Sequence, residues 1–300
     1  MNKFLKWFGI ILGTIVLLLT IVVLFLYSSV NSRLEQTYKI NIKKIVLPTD
    51  LVSIEKGKHR SLLCQGCHGD DLSGKVVFSS DAIGAVIAPN LTSGVGGIGR
   101  IYSNEDWVRV ITHGVKKNGK PVLIMPSEDF QNFSQEDLYS IVAYLKTISP
   151  VNNKPEKCKL TIFGKLLVSL GAFGNVINAE TINHKNNTNI EDVQVASDIK
   201  FGKYIVGISG CRHCHGKGLN GGKNPNPDSP PGSNLTSGGN LAKWSESDFI
   251  NTIRTGKTPE GKILNPVFMP WIDFCKMNEV ELSAIYKYLK SLPPKETIKG

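Results

Sequence analysis

Three hundred residues, 41% hydrophobic and 20% charged, fit a folded chain of about two domains and exclude wholesale disorder. The formal charge of +10 comes without a clustered Lys/Arg tract or a nucleic-acid motif, so a nucleic-acid partner is excluded as its explanation. A basic surface that docks an acidic partner, or lies near anionic lipid, explains it as well, and the net charge decides little.

No charged residue stands between Trp7 and Tyr27, a run of 21 residues made mostly of Ile, Leu, Val and Phe. As a helix rising about 1.5 Å per residue it covers roughly 30 Å, the thickness of a hydrocarbon core. A cleavable signal peptide has a shorter apolar region followed by small residues, and Ser28-Ser29-Val30-Asn31-Ser32 is a poor cleavage site. The expectation is an uncleaved transmembrane anchor over residues 1–30 and a linker over 31–50. Lys3 and Lys6 precede the span, while Arg33, Lys39, Lys43 and Lys44 follow it, so flanking charge orients it weakly. A short N-terminal tail stays inside while a long following domain crosses, which puts the soluble bulk outside the cytoplasmic membrane.

The rest of the chain states one plan twice. Asn90-Leu91-Thr92-Ser93 returns as Asn234-Leu235-Thr236-Ser237, Met125-Pro126 as Met269-Pro270, and His113-Gly114 as Thr255-Gly256. Leu138, Ile141, Tyr144, Leu145 and Lys146 match Leu282, Ile285, Tyr288, Leu289 and Lys290. A unit of about 100 residues is longer than solenoid repeats, so this is a duplicated domain, expected at 51–150 and 197–294. Residues 151–196 break the pattern. They read as a linker whose apolar part, Leu160 to Ile177, packs on a domain or on the membrane surface, followed by a polar Asn183–Asn189 stretch.

Both copies read as helical. Capping boxes are expected at Ser103 with Asp106, Ser134 with Asp137, Ser245 with Asp248, and Asn278 with Glu281. After Ser134, Leu138, Ile141, Val142 and Leu145 fall on one helical face. The stretches around Gly94, Gly96, Gly97 and Gly99, and around Pro225, Pro227, Pro230 and Pro231, read as loops and not strands. Each unit alone has little regular core, and an embedded macrocycle would supply one.

Four of six cysteines lie in two identical frames, Cys64-Gln65-Gly66-Cys67-His68 and Cys211-Arg212-His213-Cys214-His215. Two thiols about one turn apart each add to a haem vinyl group, and the next His falls beneath the iron. Cys64, Cys67, Cys211 and Cys214 are therefore the expected covalent anchors of two haem c groups, and His68 and His215 the proximal ligands. One four-Cys zinc site would need the pairs to meet, yet each has its own domain copy. A redox dithiol would need a βαβ pattern, which is absent.

Methionine is scarce at four residues, and two of them precede Pro at matched places, 57 residues beyond His68 and 54 beyond His215. Met125 and Met269 are the expected sixth ligands, on loops that Pro rigidifies. His59 and His113 read as surface residues, since His113 aligns with Thr255, and His213 is expected to point away from the iron. Cys158 and Cys275 lie outside the frames. They read as buried thiols or as one disulfide, with Cys275 also a competitor for iron.

The frame, the Asn-Leu-Thr step, a capped helix bearing Trp107 or Phe249, Met-Pro, and a closing amphipathic helix resemble the class I cytochrome c domain. The tandem form is most similar to the cytochrome c subunits of membrane-bound bacterial dehydrogenases, which typically carry three haems where this chain has two frames. The resemblance implies a mainly α fold, an N-terminal transmembrane helix followed by two tandem class I cytochrome c domains. It also implies two covalently bound haem c groups in a single-pass protein of the bacterial inner membrane, with its haem domains on the periplasmic side. His/Met ligation fills the iron and points to electron relay between redox proteins or within a membrane dehydrogenase or oxidase complex. The rival is a dihaem enzyme, peroxidase-like or thiosulfate-oxidising, with one reactive haem.

Overall fold

In the computed structural model, which describes residues 3–185, 191–224 and 229–298, the apolar run forms one helix, α1 (Lys3–Glu35). Its 33 residues make it about 50 Å long, more than a bilayer core requires. It therefore continues past residue 30, and its last turns bind the protein. Val30 is buried against Val168 and Ile177, Arg33 makes two 2.7 Å bonds to Glu180, and Glu35 pairs with Lys120. The expected linker over 31–50 is not free either. The Tyr38 amide donates to Gly119 O at 2.9 Å, and buried Ile45 donates its amide to Glu105 at 3.1 Å.

The first unit contains α2 (Leu51–Arg60), α3 (Leu62–His68), a hairpin of β1 (Val76–Ser80) and β2 (Gly84–Ile87), α4 (Asn104–His113), α5 (Ser127–Phe130) and α6 (Gln135–Thr147). In the connecting segment, β3 (Lys159–Leu160) adds antiparallel to β2, with Ala85 opposite Lys159, and α7 (Ile162–Ser169) packs on the end of α1. That segment is thus the apolar piece expected to cover a neighbour, and its neighbours are the anchor helix and the first unit. The second unit repeats the order: α8 (Ile199–Ile208), α9 (Cys211–His215), β4 (Asn220–Gly222), β5 (Gly232–Asn234), α10 (Glu246–Thr255), α11 (Trp271–Phe274) and α12 (Glu279–Ser291). The short hairpins were not expected, because their Gly content masks any alternation. Gly94 to Gly99, Pro230 and Pro231 are irregular as read, while Pro225, Pro227 and residues 186–189 of the Asn-rich stretch lie outside the described residues.

In each unit the first helix crosses the last at a glycine. A Cβ on Gly57 would sit 1.9 Å from Ser140 O, and one on Gly202 would sit 1.9 Å from Ala284 O. The backbones of α2 and α6, and of α8 and α12, meet at a distance that no side chain tolerates. Around these crossings one hydrophobic core runs through both units, with Trp107, Phe133, Ile141, Phe201, Ile205 and Leu282 almost fully buried.

Three of the expected capping boxes are complete: Ser103/Asp106, Ser245/Asp248 and Asn278/Glu281. At Ser134 only half forms. The Ser134 hydroxyl accepts from the Asp137 amide at 3.2 Å, but the Asp137 carboxylate accepts instead from Arg60 Nε at 2.7 Å and Tyr204 Oη at 2.6 Å. The Ser134 amide then donates to the same Tyr204 oxygen at 3.2 Å. A tyrosine of the second unit has entered the cap of the first.

Arg60 is 6% exposed and lies between Asp137 and Glu281, which hold the same position in the two units. Its guanidinium also stands 5.6 Å over the Phe201 ring, and His59 Nε2 lies 2.8 Å from Glu281. The matched frame positions Gly66 and His213 each face the matched aspartate of the other unit. A Cβ on Gly66 would lie 3.2 Å from Asp273, and His213 Nε2 is 2.5 Å from Asp129. Like surfaces meeting like surfaces means that the units are related by an approximate two-fold, as in an isologous dimer.

Removing Arg60 leaves buried Asp137 with only Lys56, and buried Glu281 with only His59, as ion-pair partners, so Arg60→Ala is expected to cost about 3–5 kcal/mol in denaturant unfolding of the haem-loaded protein. Burial alone would raise the Glu281 carboxyl, but the His59 hydrogen bond and the Arg60 charge outweigh it and hold the group below its ordinary value. A depressed carboxylate stabilises the fold above its unfolded value and ceases to do so as it protonates. Stability should therefore fall as pH drops below about 4, with a shallower fall in Glu281→Gln, as read from unfolding midpoints across pH.

Candidate functional site

Cys64 and Cys67 lie one turn apart on α3, with His68 at its last position. Cys211, Cys214 and His215 repeat this on α9. The nitrogen Nδ1 of His68 is 2.9 Å from Pro89 O, and that of His215 is 2.8 Å from Ser233 O. A carbonyl only accepts, so each Nδ1 carries the proton and each Nε2 keeps a lone pair for a metal. Burial lowers the pKa of both imidazoles against the opposing pull of these backbone bonds, which favours the neutral, ligating form. Burial likewise pushes the Cys64 and Cys211 thiols up to about 12 each and raises Cys67 and Cys214. Such a slot disfavours thiolates and suits sulfur that ends as a neutral thioether.

In the second unit Cys211, Cys214, His215 and Met269 line one cavity of about 640 Å³, walled largely by apolar residues such as Leu241, Trp244 and Phe249. That volume falls within the roughly 300–1,000 Å³ of cofactor pockets. Met269 is presented by a tight loop. Its amide donates to Asn265 O at 2.9 Å, its carbonyl accepts from Trp271 N at 2.7 Å, and Trp271 Nε1 donates to Leu264 O at 3.0 Å. The first unit presents Met125 in the same way, with Ser127 N donating to Met125 O at 2.8 Å. The Ile124 amide there donates to Val176 O of the connecting segment at 2.7 Å. Met125 and Cys64 pack on the shared core as Met269 and Cys211 do. Trp107 Nε1 is buried without a protein acceptor, and the aligned Phe249 lines the cavity of the second unit. An indole donor at that position suits an acidic group brought in with a macrocycle.

The Asn-Leu-Thr steps close each site from outside. Asn90 donates through Nδ2 to Val151 O at 2.8 Å and Asn153 O at 2.9 Å, and Asn234 donates to Lys295 O at 2.8 Å. Their Oδ1 atoms accept from the Thr92 and Thr236 amides at 2.8 and 2.9 Å. Each asparagine straps the segment after the last helix across the frame side of its unit, so both units reach a few residues beyond 150 and 294.

Several expectations need correction. His113 is 4% exposed, not superficial. Burial, then the His184 charge, lowers its pKa to about 4, and its Nδ1 lies 3.2 Å from that of His184. Nothing in the repeat signalled this, because His184 lies in the unmatched segment. His59 is half-buried at the junction of the units. Cys158 and Cys275 are not joined, since all six thiols are unpaired. Cys158 Sγ meets the Ile87 backbone at 3.3 Å, and Cys275 Sγ donates to Ile272 O at 3.0 Å at the end of α11. Cys275 is not among the described residues lining the His215 cavity. His213 faces Asp129 across the junction, away from that cavity.

Residues 58–145 match the family described as cytochrome c oxidase, cbb3-type, subunit III, and residues 199–293 match cytochrome c. The chain carries two cytochrome c domains in tandem. It is 25% identical over 274 residues to the fructose dehydrogenase cytochrome subunit of Gluconobacter japonicus, covering 81% of this chain and 53% of that protein. The alcohol dehydrogenase (quinone) cytochrome c subunit of Gluconacetobacter polyoxogenes is 24% identical, covering 82% of this chain and 57% of its own length. The gluconate 2-dehydrogenase cytochrome c subunit of Pantoea cypripedii is 26% identical, covering 78% and 57% respectively. The chain thus spans about half the length of these relatives and resembles dehydrogenase cytochrome subunits. Cytochrome c domains bind haem c, and the donor set and cavity described above fit it.

Because Asn234 is buried with every polar atom engaged, Asn234→Ala is expected to cost about 1–3 kcal/mol in thermal or denaturant unfolding. Asn90→Ala should do the same in the first domain.

Proposed function

We propose that each domain holds one haem c and that the chain is an electron relay, anchored in the bacterial inner membrane by α1 with both domains on the periplasmic side. The observation that carries this is the gathering of Cys211, Cys214, His215 and Met269 on one cavity, with Cys64, Cys67, His68 and Met125 at matched places in the first domain. The bound group supplies a one-electron iron couple, whose potential a methionine ligand raises. The chain does the rest. Cys64, Cys67, Cys211 and Cys214 would tether the group, and His68 and His215, with fixed tautomers, and Met125 and Met269, on Pro-stiffened loops, would ligate its iron. With a histidine and a methionine held for each iron, the chain would offer a substrate no ligand position, and the role is transfer and not catalysis.

The junction of the domains sets the separation of the two centres. Across it lies a cleft of about 160 Å³ whose walls include Leu63 and Gly66, Gly210, and both Pro126 and Pro270. Each attachment helix faces the methionine-side helix of the other domain there, a geometry suited to exchange within the chain. Resemblance to dehydrogenase subunits supports a membrane dehydrogenase as electron donor and a further redox protein or oxidase as acceptor. Among the described residues α1 is the one helix long and apolar enough to cross a membrane, which supports the anchor.

A haem assay on the purified protein should give two c-type haems per chain. The oxidised spectrum should show the long-wavelength band of methionine-ligated ferric haem, and Met125→Ala and Met269→Ala should each remove part of it and lower one potential in a redox titration. One haem per chain, or ready binding of cyanide or peroxide by the unmutated protein, would overturn the reading in favour of an enzyme.

A further inference from the structure

The connecting segment carries an exposed apolar surface that neither domain uses. In and just after α7, Ile162, Phe163 and Leu170 are 62%, 53% and 67% exposed, while Gly164 and Val168 on the other side are buried. The helix is stapled to the anchor at one particular height. Lys165 Nζ lies 4.5 Å from the centre of the Tyr27 ring and bonds Asn31 at 2.7 Å, and Val168 packs with Val30. Tyr27 ends the continuous apolar stretch of α1, before the polar Ser28-Ser29, where an aromatic residue marks the boundary between hydrocarbon and headgroups. Whatever α7 exposes is therefore exposed at the level where the anchor leaves the bilayer.

We propose that α7 lies in the membrane interface, with Ile162, Phe163 and Leu170 in lipid. This rests on α1 being a membrane anchor. The composition is that of an interfacial helix, apolar on its free face, with a lysine whose stem runs along the anchor and whose charge sits at the headgroup level. Charge supports a lipid occupant, since residues 154–165 hold four lysines against one glutamate, the balance that anionic headgroups attract. The contact reaches the candidate site. Past α7 the same segment offers Val176 O to the Ile124 amide and Asn178 Oδ1 to Glu128 N at 3.4 Å, on either side of Met125-Pro126. The first domain thus rests on the bilayer through the segment that braces its methionine loop, and its site is held at a fixed height above the membrane.

The test uses the full-length, haem-loaded protein in nanodiscs of phosphatidylcholine and phosphatidylglycerol that carry a carbene-generating group on the acyl chain. After photolysis, peptide mass spectrometry should find label in α1 and in the peptide spanning Ile162 to Phe173. It should find none around Ile263 and Val267, which are as exposed but belong to the second domain. Replacing Ile162, Phe163 and Leu170 together by Ser should abolish the α7 label and keep the α1 label. Label in α1 alone in the unmutated protein would overturn the proposal and leave the anchor standing, assigning the patch to a protein neighbour. Absence of label from both would overturn both, and an α7 label that survives the triple replacement would show that these side chains are not the contact.

Discussion

One buried guanidinium decides how the two domains meet. Duplication puts Asp137 and Glu281 at the same point of two helices, where each serves the first turn of its own helix. Had the repeat been perfect, the two carboxylates would face each other across the two-fold with nothing between them, and repulsion and desolvation would drive the units apart. Arg60 breaks the symmetry. Three residues after the crossing glycine the second domain has Ile205 where the first has Arg60, so one guanidinium reaches both acids, with Lys56 beside Asp137 and His59 beside Glu281. Phe201 beneath the guanidinium and Tyr204 beside Asp137 complete the enclosure. The continuous core on either side, the approach of each attachment helix to the opposite methionine-side helix, and the spacing of the candidate centres all follow from that junction.

Such a junction discriminates more than it stabilises. An apolar contact of the same area would hold two helical units together in many rotations. A planar fork between two fixed carboxylates has one good orientation, and the His213–Asp129 contact about the same pseudo-axis agrees with it. On the proposed function, in which transfer depends on the separation of two centres, orientation matters more than the strength of association.

The candidate site residues could be named from the sequence because their pattern is local. Cys-x-x-Cys-His needs only one helical turn, and Met-Pro stood out against two copies of the same plan. Helix starts were legible for the same reason, and the exception at Ser134 is instructive. Its cap is altered by Tyr204, 70 residues away, which no local pattern contains. Arg60 was invisible because it has no counterpart in the repeat. The burial of His113 was invisible because its partner lies in the segment without a repeat. Gly57 and Gly202 stood at matched places and could have been found, since a glycine within a helix at the same point of both copies marks a close crossing. The short hairpins escaped because glycine-rich strands of three to five residues carry little alternation.

The two copies agree at the candidate anchors and ligands and differ in what surrounds them. Trp107 stands where the second domain has Phe249, and His113 where it has Thr255. The Met125 loop is braced by the connecting segment, while Ile263 and Val267 before Met269 are exposed. This division has a physical logic. Two centres with identical ligands and identical surroundings would have equal potentials, and a relay between them would have no preferred direction. Ligand identity sets the coarse potential, and hydrogen bonds, burial and solvent access set the remainder. On the proposed function, a duplicated domain that kept its candidate ligands while changing its second environment has the means to make one centre the better acceptor. It does so without touching the residues on which attachment depends.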